Sequence, residues 1–100
     1  KAGLVGMTRA VALEGGPHGV TCLAISPGWV ETEMLRTSAG IMAQQSGRTQ
    51  AEEIALMAQS NPQNRLVQPE EIAALAVFCC SEAAAGLTME DIQVNAGALW

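Results

Sequence analysis

Basic side chains are scarce in this sequence: five Lys and Arg stand against ten Asp and Glu, a formal net charge of -5 over 100 residues. Nucleic acids and anionic membrane surfaces are bound through a basic footprint, and none is present, so both are excluded as partners. Small neutral or anionic ligands held at local sites remain open. Long apolar runs are missing too, the longest being interrupted by polar residues well short of the roughly 20 residues of a bilayer span. Cysteine is limited to three residues, two of them adjacent at Cys79 and Cys80. An odd set with that spacing makes a poor disulfide framework and fits a reducing compartment. No segment resembles a signal peptide, and the expected location is cytoplasmic. Cys79 and Cys80 stand about 100° apart on a helix, without Cys-x-x-Cys spacing or clustered histidines. They are therefore expected to be packing residues. His18, the single histidine, stands in a Gly-rich turn and is expected on the surface. No metal site is expected.

What is present is apolar content: 49% hydrophobic residues with 15% charged describes a chain expected to bury much of itself. Lys1 to Glu14 reads as a helix, with Leu4, Met7 and Val11 on one stripe and Ala2, Val5 and Ala12 beside it. Such a helix is expected to be covered on more than one side, with Gly3 and Gly6 permitting close approach. Gly15, Gly16 and Pro17 terminate it. Its beginning carries no capping residue, and a lysine in the first turn opposes the helix dipole, so residues are expected to precede it.

Val20 to Ile25 is nearly continuous in β-prone apolar residues and reads as a buried strand ending at Ser26-Pro27-Gly28. Asp91 to Asn95, where Ile92 and Val94 alternate with polar residues, is the other strand candidate. Two strands are too few for a buried parallel sheet, so the rest is expected from elsewhere. Thr49-Gln50-Ala51-Glu52 is a capping box opening a helix through about Ser60, which Asn61-Pro62 closes. Pro69 suits a first helical position, Glu70 and Glu71 complement the dipole, and Ile72, Leu75, Ala76 and Cys79 form a stripe expected to pack on the sheet. Residues 36–48 have weak pattern and read as a lid. The order is that of an α/β unit.

Lys1 through Leu13, the turn Ser26-Pro27-Gly28-Trp29-Val30-Glu31-Thr32, the run Arg65 to Ala73 and the closing Ile92-Gln93-Val94-Asn95-Ala96-Gly97 together resemble the second half of a short-chain dehydrogenase/reductase. Their order and spacing carry the resemblance. It implies one domain over residues 1–100, the C-terminal portion of a Rossmann-like doubly wound parallel sheet, with a substrate lid at about 31–66. It implies NAD or NADP as cofactor and a small carbonyl or alcohol as substrate. Relatives with this turn include 3-hydroxybutyrate dehydrogenases, 3-oxoacyl reductases and polyketide ketoreductases, which points to a 3-oxo/3-hydroxyacyl substrate.

In that family Lys1 corresponds to the lysine of a Tyr-x-x-x-Lys pair, which puts the tyrosine before the first residue here. Bringing a phenol from about 10 to near 7 takes about 4 kcal/mol favouring phenolate, much of which a fixed ammonium can supply at low effective dielectric. The same amine is implied to hold the nicotinamide ribose. Pro27 and Gly28 would form the wall against the ring, Val30 would offer backbone groups to the carboxamide, and Thr32 would add its hydroxyl. They follow a strand's carboxyl end, where open α/β sheets bind ligands. Without a ligand, Thr32 reads as the N-cap of a helix from Glu33. Trp29 and Met34, with Ile41 and Met42, would line the substrate pocket or, alternatively, fill the lid's own core. A homodimer or homotetramer is implied, with the first helix and the segment from Pro69 at interfaces. The competing function is a non-catalytic protein of the same fold kept for oligomerisation or binding.

Overall fold

The computed structural model describes residues 2–98. Helix α1 (Ala2–Gly15) runs into a 3-10 turn at Gly16–His18, and strand β1 spans Ala24–Pro27. Helices α2 (Glu33–Ser46), α3 (Gln50–Gln59) and α4 (Pro69–Cys79) follow, then a 3-10 turn at Glu82–Ala84 and strand β2 (Asp91–Val94). The strands are paired. Ala24 N–H donates to the Glu90 carbonyl and Gly28 N–H to that of Val94, each at 2.9 Å. Both strands advance equally between the two bonds, so they run parallel, and the helices between them supply the crossover that parallel neighbours need. The fold is α/β.

The chain forms two compact units, Lys1–Ser26 with Ala73–Gln93 and Pro27–Ile72 with Val94–Trp100. In the first, α1 ends because Gly15 lies against the returning chain. A Cβ there would stand 2.9 Å from that of Val20, whose N–H donates to the Gly15 carbonyl. The buried positions of α1 are Thr8 and Ala12, and the Thr8 hydroxyl donates to the Leu4 carbonyl one turn back at 2.8 Å. The expected apolar cover is absent among the described residues: Leu4, Met7, Val11 and Leu13 are 41–67% exposed, and nothing approaches the Cβ positions of Gly3 and Gly6. Small side chains, rather than the large apolar stripe, make the contacts available here. In α4 the half-buried positions include Ile72, Leu75 and Cys79, while Ala76, Val77 and Phe78 are exposed.

The first strand starts later than its composition predicts. Residues 20–23 lie outside the strand, held by Cys22 N–H donating to the Thr88 hydroxyl and Met89 N–H donating to the Cys22 carbonyl. β-propensity marked the segment, but pairing decides where the strand begins.

In the second unit α2 and α3 pack against each other, burying Leu35 and Ala39. Of residues 36–48, whose pattern is weak, 36–46 belong to the regular helix α2, whose end at Ser46 is set by Gly47 with φ 81°. The weak apolar pattern was overridden by a local N-cap and C-cap. The capping box at Thr49 is present in full, with Thr49 accepting from Glu52 N–H and Glu52 accepting from Thr49 N–H. Glu53, 2% exposed, accepts from the Ser46 hydroxyl at 2.6 Å and from Arg48 Nε at 2.8 Å. These bonds hold its carboxyl below the usual range, the Ser46 bond foremost, and tie the end of α2 to α3.

Candidate functional site

The site is built from the end of β1 outward. At Gly28 the strands come so close that a Cβ would lie 2.8 Å from Asn95 Cβ and 2.9 Å from Asn95 Cα. Only glycine fits, and the approach brings the chain after β2 beside the chain after β1. Asn95 to Ala98 turns back sharply, with Ala96 at φ 55° and Gly97 at φ 85° and Ala98 N–H donating to the Asn95 carbonyl. Two positive central dihedrals make this a type I′ turn. The Asn95 side chain closes it, accepting from Gly97 N–H and donating to the Ala98 carbonyl. Gln63 N–H donates to the Ala96 carbonyl at 3.1 Å, which ties the segment following α3 to the turn. The result is a cleft of about 630 Å3 lined by Pro27, Gly28, Trp29, Ser60, Asn61, Pro62 and Ala98.

Beyond Gly28 the chain runs beside residues 65–68. Val67 N–H donates to the Trp29 carbonyl at 3.1 Å and Glu31 N–H to the Val67 carbonyl at 2.9 Å, forming a parallel bridge between Val30 and Val67. In such a bridge the residue between the two bonded neighbours points its own N–H and C=O the other way. Neither group of half-buried Val30 has a partner among the described residues. An adjacent donor and acceptor on one residue can pair with a primary carboxamide, its N–H donating to the amide oxygen and its C=O accepting from one of the two amide N–H groups.

Thr32 is the N-cap of α2, its Oγ1 accepting from Leu35 N–H at 3.2 Å. Capping uses a lone pair and leaves the hydroxyl proton free to donate. Trp29 is 46% exposed, Met34 80%, Ile41 55% and Met42 41%, so all four have free apolar surface and none is a core residue of its helix or turn. Lys1, expected to favour a neighbouring phenolate and to hold the nicotinamide ribose, lies outside the described residues. His18 is exposed, as is Cys80, and Cys79 is half-buried. Among the described residues no cluster of His, Cys, Asp or Glu is placed to hold a metal ion, and no helix is long and apolar enough to cross a membrane.

Ser60, Asn61, Pro62 and Ala98 were not singled out in the sequence. Asn61 and Pro62 were legible only as a helix stop. Asn61 is in fact 3% exposed and donates to the Arg65 carbonyl at 2.8 Å, a role that needs the turn it stabilises to exist first.

A family model described as enoyl-(acyl carrier protein) reductase matches residues 1–98. The chain is 41% identical over 85 residues to the D-beta-hydroxybutyrate dehydrogenase of Cupriavidus necator, covering 84% of this chain and 33% of that protein. It is similar to the crystal structure of a short chain dehydrogenase family protein from Francisella tularensis, with TM-score 0.92 and 28% identity over 97% of this chain and 40% of that one. It is also similar to L-sorbose reductase from Gluconobacter frateurii, solved with NADPH and L-sorbose, with TM-score 0.90 and 26% identity over 98% of this chain and 38% of that one. The chain thus spans well under half the length of each.

Proposed function

This chain belongs to the short-chain dehydrogenase/reductase family, and on that premise we propose that the protein transfers a hydride between NAD(H) or NADP(H) and a carbonyl/secondary alcohol pair. The observation that carries the reading is that the N–H and C=O of Val30, just past the carboxyl end of β1, have no partner among the described residues. They suit a nicotinamide carboxamide, with the Thr32 hydroxyl beside them as a further donor. Bound there, the reduced coenzyme supplies the hydride.

The chain's own residues bind, orient and exclude. Val30 donates its N–H and accepts at its carbonyl, which fixes the ring's rotation about its amide. Pro27 and Gly28 form the wall, and the missing Cβ of Gly28 lets Asn95 pack directly behind it. Trp29 and Met34 offer apolar surface that covers a substrate and keeps water from the reacting carbon. In this reading Lys1 holds a ribose hydroxyl and keeps a neighbouring phenol acidic enough to exchange its proton with the substrate oxygen. The lid at about 31–66, built on α2 and α3, belongs to the same proposal.

The substrate proposed is of the 3-oxo/3-hydroxyacyl type, supported by the likeness to a hydroxybutyrate dehydrogenase. Self-association as a homodimer or homotetramer is proposed with it, supported by the exposed Leu4, Met7, Val11 and Leu13 of α1. A cytoplasmic location accords with three free cysteines. The test is oxidation of NADH and NADPH by the intact protein over ketones and 3-oxoacyl thioesters. Turnover strongest on the 3-oxoacyl compounds is expected, and no turnover of either coenzyme with any carbonyl would sink the reading.

A further inference from the structure

Residues 65–68 hold the backbone of Val30 in place, and something must hold residues 65–68. Their own strand contact is a single bridge, since Val30 and Val67 lie outside β1 and β2. The segment is instead tied down by side chains. Arg65 Nη1 donates to the Leu66 carbonyl at 2.9 Å and to Glu71 Oε2 at 2.8 Å, while Nη2 pairs with Glu71 Oε1. Glu71 Oε2 also accepts from Gln68 N–H at 2.7 Å, and Asn61 holds the Arg65 carbonyl. One guanidinium and one carboxylate thus fasten the backbone on both sides of Val67, which is itself 1% exposed.

Resting on the reading of Val30 as the carboxamide site, we propose that Arg65 and Glu71 are positioning residues for the nicotinamide: their clamp fixes the register of Val67 and, through it, the direction of the Val30 N–H and C=O. Neither side chain touches the ligand. The pair is 45% and 37% exposed, so solvent screens its contribution to global stability. Its geometry is nevertheless bidentate, and each partner carries an extra backbone bond, which restricts local motion. A clamp of this kind acts on ligand orientation more than on the folding midpoint.

The experiment compares the intact wild-type protein with Arg65→Met and Glu71→Gln, the latter nearly isosteric and still able to accept from Gln68. For each, affinity is measured by calorimetry for the coenzyme the wild type binds and for the matching nucleotide without nicotinamide, ADP-ribose or its 2′-phosphate. Amide exchange at Glu31 and Val67 is followed in the coenzyme-free protein. Expected are a loss of about tenfold in coenzyme affinity, as for one impaired hydrogen bond, unchanged ADP-ribose affinity, and faster exchange at both amides. The thermal midpoint should move by no more than about 4 °C. Equal weakening of both nucleotides, unaltered coenzyme affinity, or unaltered exchange in Glu71→Gln would overturn the clamp. If the wild type binds neither nucleotide, the oxidoreductase reading fails instead, and exchange at Glu31 and Val67 still decides whether the pair holds the backbone.

Discussion

Single atoms decide most at Gly28 and Thr32. At Gly28 a methyl would meet Asn95 Cβ at 2.8 Å and Cα at 2.9 Å, and no rotamer moves either atom. Gly28→Ala should therefore cost about 2 kcal/mol by forcing β1 from β2, measured by denaturant titration. Adding Asn95→Gly should recover part of the loss, whereas Asn95→Ala, which keeps the Cβ, should recover none. Thr32 carries two proposed tasks that substitution separates. Thr32→Ala removes cap and hydroxyl together and should cost about 1 kcal/mol of stability. Thr32→Asp retains an acceptor for Leu35 N–H but has no hydroxyl proton, so it should hold the thermal midpoint while weakening coenzyme binding. Unchanged binding in Thr32→Asp would reduce Thr32 to its capping role. Its cap was legible because it depends on a residue three positions away. Val30 was named only through family likeness, because what frees its backbone groups is the distant Val67.

At the scale of elements, local chemistry and long-range pairing part company. The helix starts at Thr49 and Pro69 stand where the sequence puts them, since caps and ring geometry act within one turn. The segment 36–46 has poor apolar spacing, yet capping at both ends of α2 makes it helix. The entry to α4 invites a pH test. Arg65 foremost, then the Gln68 N–H, lowers the Glu71 carboxyl from 4.5 to about 2. A folded value below the unfolded one means its stabilisation is present in full above about pH 4.5 and disappears as pH falls towards about 2. The thermal midpoint of Glu71→Gln should consequently fall less steeply than that of the wild type across this window, with parallel profiles above it. Identical acid limbs would show that the ion pair is not formed in solution.

For the whole molecule the decisive quantity is how little large apolar surface is enclosed. In the first unit the buried apolar residues among those described are Ala12 and Ala84, and in the second Leu35, Ala39, Leu66, Val67 and Ala96. Cores so small supply little hydrophobic stabilisation, and a two-stranded sheet adds little more. These 100 residues made alone should accordingly melt in a broad, weakly cooperative transition by calorimetry; a sharp one from a monomer would contradict this. High apolar content announced burial, yet Leu4, Met7, Val77 and Phe78 face outward within this chain. Sequence by itself determined helices α1, α3 and α4, the caps at Thr32 and Thr49, the α/β order and the family, because each is written in neighbours a few residues apart or in motifs read in order. Tertiary structure alone decided where β1 begins, which residues line the cleft and which way the Val30 amide points. Those depend on hydrogen bonds and contacts between segments far apart along the chain, and no local pattern encodes the partner that completes them.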